Sequence, residues 1–190
     1  LDPMAGTGKI HQLRQWLPNL HTVGIELEPE WAAMHPDTQH GNALALPFGD
    51  GEFDAVCTSP TYGNRMADHH EARDGSTRHT YRHALGRPLH PDNSGAMPWG
   101  EPYRDFHIAA WTEARRVLQH GGLFLLNVKD FYRRGQLIEV TGWHVTQLQA
   151  LGFRLVEWRK VNCPGQRHGA NGALRVDFEN VIGMRKDGKE

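Results

Sequence analysis

The stretch Phe53-Asp54-Ala55-Val56-Cys57-Thr58-Ser59-Pro60-Thr61-Tyr62-Gly63 decides the fold. Its first half is a run of β-formers that stops abruptly at a proline, and an aromatic residue and a glycine follow. Pro60 has no N–H to offer a sheet ladder, so the strand ends before it. A plain turn accounts for the proline and the glycine. The other reading is a rigid shelf, Ser59 to Tyr62, at the carboxyl end of a strand, where open α/β sheets place their chemistry.

Working outward, strands and helices alternate. Residues 8–17 read as a helix stopped by Pro18, residues 21–27 as a short buried strand, and residues 29–34 as a helix start. The segment His40 to Leu44 reads as a short strand end. Residues 103–118 place Phe106, Ala110, Ala114, Val117 and Leu118 on one helical face, and His120-Gly121-Gly122 is expected to terminate that helix. Residues 123–130 read as a strand buried on both faces, residues 141–152 as a helix closed by Gly152, and residues 153–161 as a strand. A loop over residues 162–175 leads to a last strand, residues 178–186. The alternation predicts a mostly parallel, doubly wound sheet, and the last two strands, joined without a helix, are expected to be antiparallel.

The 190 residues suit one domain, and 21 basic against 22 acidic residues give no whole-molecule field that would select nucleic acid. Cys57 and Cys163 are too few for a disulfide framework or a cysteine zinc site, which points to a cytoplasmic protein. The chain opens directly on a glycine loop. Only Leu1 and Asp2 stand where a strand should lead into it, so this first strand is expected to be largely missing and to continue upstream.

That loop, Asp2-Pro3-Met4-Ala5-Gly6-Thr7-Gly8-Lys9, fails as a phosphate-binding P-loop because Ile10 follows Gly8-Lys9 and Pro3 stands where the first glycine belongs. As a dinucleotide fingerprint it is poor, since His11 occupies the third glycine position. A glycine turn after an acidic strand end can also wrap a nucleoside that carries no phosphate at the loop; a plain βα turn is the remaining alternative. Glu26 ends the second apolar run about 20 residues later, where a carboxylate accepts ribose hydroxyls. Glu28 reads instead as a solvated helix-start residue. Asn42 stands at a third strand end, within reach of an adenine edge.

Taken together, these residues resemble the Rossmann-like S-adenosylmethionine-dependent methyltransferases, and among them the amino-methyltransferases that modify an exocyclic nitrogen of a base in DNA. Leu1 to Gly8 is similar to their cofactor loop, Gly24 to Glu30 to their ribose-binding segment, and Ser59-Pro60-Thr61-Tyr62 to their catalytic tetrapeptide, with Thr61 in place of a second proline. The resemblance implies a single methyltransferase catalytic domain over residues 1–190. Its cofactor would be S-adenosyl-L-methionine, held by Asp2, Pro3, Met4, Ala5, Gly6 and Gly8, by Glu26 and Leu27, and by Asn42 and Ala43. The segment that holds the methionine part of the cofactor would lie upstream of Leu1. Ser59, Pro60, Thr61 and Tyr62 would be catalytic: the Ser59 hydroxyl and the Pro60 carbonyl would accept hydrogen bonds from the target amine, and Tyr62 would stack on an extruded base. Serine before the proline leans toward cytosine N4, and adenine N6 stays open. An RNA guanine-N2 methyltransferase is the nearest rival, and Thr61 allows a non-catalytic nucleic-acid-binding domain.

Residues at about 63–102 interrupt the pattern with arginine, histidine, glycine and proline but no lysine. They read as an inserted nucleic-acid contact through Arg65, Arg73, Arg78, Arg82 and Arg87, or as a solvated loop. The histidines there match no zinc spacing, and no metal is expected. Arg167 and His168, in the late loop, are further candidates for DNA contact.

Overall fold

The computed structural model describes residues 1–66, 80–164 and 172–188. In chain order the elements are β1 (Gly24–Glu26), a single helical turn α1 (Pro29–Ala32), β2 (Thr38–His40), β3 (Phe53–Thr58), α2 (Tyr81–Leu85), α3 (Glu101–Val117), β4 (Leu118–Val128), β5 (Phe131–Arg133), β6 (Gln136–Ile138), α4 (Val140–Ala150), β7 (Phe153–Asn162) and β8 (Phe178–Lys186).

β1 and β2 pair in parallel, and a second sheet has the order β3-β4-β8-β7, with β3 and β4 parallel and the β4–β8 and β8–β7 pairs antiparallel. Leu1 and Asp2 bridge the two. The Asp2 N–H donates to the Val23 carbonyl at 2.9 Å, Ile25 N–H to the Asp2 carbonyl at 2.9 Å, and Cys57 N–H to the Leu1 carbonyl at 2.8 Å. The expected fold class, a mostly parallel α/β sheet with an antiparallel last strand, is the observed one, and Asp2 lies between the strand that ends at Glu26 and the strand that ends at Thr58.

The core forms where α3 lies on β4. Phe124, Leu126 and Val128 alternate along one face of the strand and are fully buried, as are Ala110, Trp111, Ala114 and Val117 of the helix. Trp111 meets Phe124 edge-on at 5.1 Å between ring centres. The other face of β4 is half-buried, so the apolar run from Leu123 to Leu126 is a one-sided strand rather than one covered on both faces.

Two further local expectations differ from the structure, and one hairpin was not expected. His120-Gly121-Gly122 does not cap α3. The helix ends at Val117, and Leu118 already pairs with Phe53 before residues 119–122 loop out and pairing resumes at Leu123 with Ala55. Gly122 is needed there for close approach: a Cβ would lie 2.9 Å from the carbonyl oxygens of Asp54 and Gln119. Residues 9–15 form a 3-10 turn instead of an α-helix, and His11 is its one buried residue. Without an apolar stripe to bury, little drives a regular helix. The hairpin β5–β6 was hidden because its turn, Arg134-Gly135, takes positive φ at both residues (50° and 77°) and arginine is not a usual signal for that geometry.

Among the described residues no helix is long and apolar enough to cross a membrane. Gly122→Ala should destabilise the fold by about 1–3 kcal/mol, because backbone oxygens cannot move aside as a side chain would. Urea unfolding monitored by tryptophan fluorescence would measure it.

Candidate functional site

The polar strand ends converge on one cavity of about 140 Å3, lined by Pro3, Met4, Gly6, Glu26, Leu27, Trp31, Asn42, Ala43, Ser59, Pro60, Thr61, Tyr81, Asn93, Ser94 and Phe106. The glycine loop, Glu26, Asn42 and the Ser59-Pro60-Thr61 shelf meet there because each ends or follows a strand whose carboxyl end faces the same edge of the sheet, whereas Tyr81, Asn93, Ser94 and Phe106 come from α2, α3 and the chain between them.

Glu26 organises the first wall. Its Oε2 accepts the Gly6 N–H at 2.8 Å and its Oε1 the Glu28 N–H at 2.9 Å, so one carboxylate holds both the glycine loop and its own turn. Each oxygen keeps a further lone pair. Burial raises its pKa, and the two backbone donors offset part of that. Gly6 has φ 53°, and a Cβ on it would project into open space. Asn42, which lines the cavity, accepts the Leu44 N–H through Oδ1 at 2.9 Å, so its NH2 group is not committed to that turn.

The remaining loop residues lie behind this wall. Asp2 is nearly buried and accepts the Met4 N–H at 3.1 Å; burial, opposed by the neighbouring Thr58 hydroxyl and Met4 N–H, pushes its pKa up to about 6. Ala5 is buried, and Gly8, with φ 79°, faces His35 and His11 rather than the cavity.

Glu28 is not a solvated helix-start residue. It is fully buried and holds the far wall: Oε1 accepts the His90 N–H at 2.8 Å and the Asn93 Nδ2 at 2.9 Å, and Oε2 lies 2.8 Å from the Arg87 guanidinium. Arg87 also pairs with Glu30. The sequence offered Arg87 as a nucleic-acid contact or as part of a solvated loop, and here its guanidinium lies on two carboxylates. Arg82 sits on α2, the Arg65 backbone lies in a 3-10 turn, and Arg73, Arg78, Arg167 and His168 lie outside the described residues.

In the shelf, Ser59, Pro60 and Thr61 line the cavity and Tyr62 does not. Tyr62 is partly buried against the core, with its phenol beside Ser59, and burial pushes its pKa up to about 12. The aromatic groups that face the cavity are Trp31, Tyr81 and Phe106, with Trp31 and Tyr81 edge to face at 5.6 Å. Sequence reasoning missed them: Phe106 carries a core-helix signal, and Tyr81 falls in a segment without periodicity.

Thr61 is held from two sides. Its Oγ1 is 3.0 Å from Ser94 Oγ, and its carbonyl accepts the Tyr103 hydroxyl at 2.7 Å. Behind Tyr103 lie His144, 3.2 Å away through Nε2, and Trp111, whose Nε1–H donates to His144 Nδ1 at 3.0 Å.

His11, His35 and Asp37 form the one cluster of potential metal ligands found among the described residues. Both ring nitrogens of His11 are bonded to the hydroxyls of Thr22 and Thr38, and His35 Nδ1 accepts the Asp37 N–H. Asp37 also carries an ion pair to Arg14 at 2.7 Å. Both ring nitrogens of His11 and the Nδ1 of His35 are engaged within the protein, and the cluster reads as a structural network.

No protein-family model matches the chain, and no curated protein matches it by sequence. Solved structures do. An S-adenosylmethionine-dependent methyltransferase from Methanosarcina mazei superposes with a TM-score of 0.62 at 14% identity, over 99% of this chain and 92% of that one. The cyclase SpnF gives 0.59 at 17% identity, over 99% and 75%. A protein of Thermus thermophilus described as a candidate DNA modification methylase gives 0.53 at 16% identity, over 90% of this chain and 54% of that one. At these identities the likeness establishes the fold, Rossmann-like and of the methyltransferase type, and a cyclase among the neighbours shows that the fold alone does not decide a reaction.

Two outcomes test this geometry. Asp2, with its pKa raised to about 6 from an ordinary 3.8, takes up protons in the folded state before the unfolded one, so its contribution favours the fold as pH falls from about 6 to 4. Asp2→Asn should therefore steepen the loss of stability on acidification across that window, measured by denaturant midpoints. Arg87→Ala should lower the melting temperature, because it leaves the buried Glu28 carboxylate without its cation; a thermal melt without nucleic acid reads this.

Proposed function

We propose that the protein is an S-adenosylmethionine-dependent methyltransferase that acts on an exocyclic amino group of a base in DNA, with cytosine N4 ahead of adenine N6. The observation that carries this reading is that the glycine loop, the Glu26 carboxylate and the Ser59-Pro60-Thr61 shelf line one cavity. The fold shared with the Methanosarcina mazei enzyme and the Thermus thermophilus protein supports it.

The cavity residues fit the nucleoside part of such a cofactor. Glu26 has lone pairs for ribose hydroxyls, the Asn42 NH2 group can donate to an adenine ring nitrogen, and the backbone at Gly6 leaves open space for close approach. The enclosed volume, about 140 Å3, is below that of a typical cofactor pocket, so part of the ligand would occupy the open mouth. When bound, the cofactor supplies a methyl group on a positively charged sulfur.

On the other wall, Ser59 Oγ and the Pro60 carbonyl would accept N–H groups of the target amine. That amine is a weak nucleophile because its lone pair is delocalised into the ring. Two acceptors fixed before the reaction draw the pair back onto nitrogen and hold it in line. Tyr62, with its phenol beside Ser59, would steady that hydroxyl in the described arrangement, and the cavity aromatics would contact the base.

Labelled methyl transfer to duplex DNA and to RNA, followed by nucleoside analysis, tests the proposal. N4-methylcytosine or N6-methyladenine is expected. Label in RNA guanine alone, or none in either polymer from protein that binds the cofactor, would overturn it. Ser59→Ala should lower kcat by about 100-fold or more with cofactor affinity unchanged. Glu26→Gln should weaken cofactor binding by about tenfold or more, as expected for a charged hydrogen bond of roughly 1.5–3 kcal/mol. Wild-type affinity should rise with pH as Glu26 ionises, and that rise should be absent in Glu26→Gln by calorimetry.

A further inference from the structure

The Tyr103 chain runs in a single direction. Indole Nε1–H can only donate, so His144 Nδ1 is an acceptor, and the proton of the neutral ring sits on Nε2. Nε2–H then donates to the Tyr103 oxygen, which leaves the Tyr103 hydrogen for the Thr61 carbonyl. Burial keeps His144 neutral, with its pKa well below the ordinary value, so this polarity persists across the physiological range. Tyr103, Trp111 and His144 are all fully buried. Tyr103 is fixed in turn by His107, whose Nδ1–H donates to the Tyr103 carbonyl at 2.8 Å and whose ring lies 4.1 Å from the phenol ring.

A helix-to-helix network that only joined α3 to α4 would have no need of the shelf. This one ends on the shelf backbone, at the residue after Pro60. Pro60 has its φ locked by its ring, and Thr61 does not. What restrains Thr61 is its two tethers: the carbonyl on Tyr103 and the hydroxyl on Ser94. The carbonyl tether acts on the peptide that links Thr61 to Tyr62, and so on the direction in which the preceding residues face the cavity.

We infer that Tyr103 is a positioning residue for the shelf, with His144 and Trp111 behind it, and that its hydrogen bond to the Thr61 carbonyl supplies the rigidity that a ring at position 61 would otherwise give. The inference concerns the same site as the methyltransferase reading, and its catalytic consequence rests on that reading. Ser59 and the Pro60 carbonyl hold a target amine in line only if the backbone carrying them does not swing. The Thr61 N–H makes no backbone hydrogen bond among the described residues, so a proline there would cost no such donor already in use.

The test is a cycle of three variants: Tyr103→Phe, Thr61→Pro, and both together. Tyr103→Phe keeps the ring and removes the hydroxyl. Its single-turnover methylation rate on duplex DNA should fall by about tenfold or more, the size expected for an orphaned carbonyl, with cofactor affinity within twofold of wild type. In the Thr61→Pro background the same Tyr103→Phe change should cost less than about threefold, because the ring then supplies the restraint. Amide hydrogen exchange at Ser59, Tyr62 and Gly63 is read on the same proteins and needs no activity. It should quicken in Tyr103→Phe and slow again in the double variant, while exchange within β3 stays unchanged. If wild type transfers no methyl group to DNA or RNA, the function fails and the exchange cycle still decides the positioning role. Uniform quickening across α3 and α4, unchanged exchange at residues 59–63, or quickened exchange there that Thr61→Pro does not restore would each mean that the network only joins the helices, and would overturn the inference.

Discussion

The buried carboxylate of Glu26 is the constraint on which the site depends. It ends β1, and its two oxygens each take a backbone N–H, one from Gly6 across the sheet and one from Glu28 in the next turn. The glycine loop cannot drift from the second strand end while those bonds hold. A carboxylate this deeply buried is expensive to keep charged, and burial raises its pKa accordingly. Its backbone donors offset part of that cost, and a ligand that offered further donors would offset more.

A second buried carboxylate, Glu28, does for the far wall what Glu26 does for the near one. It gathers Arg87, the His90 N–H and the Asn93 side chain, all from the segment after residue 80. Ser94 follows directly and reaches Thr61. The wall facing the glycine loop is therefore assembled from a stretch with no regular pattern, held by Glu28, which stands two positions after Glu26 on the same strand-to-turn segment. Removing a cation from such a buried carboxylate costs more than the pair contributes when intact.

The shelf joins these walls to the hydrophobic core. Trp111 packs on Phe124 of β4 and donates to His144, and the chain continues through Tyr103 to Thr61. Core packing and site geometry thus share side chains, so a change at Trp111 is felt at the cavity as well as in the sheet.

Much of this was legible in the residues themselves. The strand that stops at Ser59-Pro60, the acidic end at Glu26 and the glycine turn after Asp2 are signals of backbone chemistry: a missing N–H, a carboxylate after an apolar run, a need for positive φ. Such signals depend on the local chain, and together with the family resemblance they picked out Pro3, Met4, Gly6, Glu26, Leu27, Asn42, Ala43, Ser59, Pro60 and Thr61, which line one cavity. Gly121 and Gly122 misled for the same reason, since a pair of glycines marks a tight turn without saying whether it caps a helix or loops out of a strand. Only the tertiary structure decided the partners of Glu28, Arg87 and Tyr103. Their roles are set by groups 62, 59 and 42 positions away, at His90, Glu28 and Thr61, and hydrogen bonding across such separations leaves no periodic trace in the sequence.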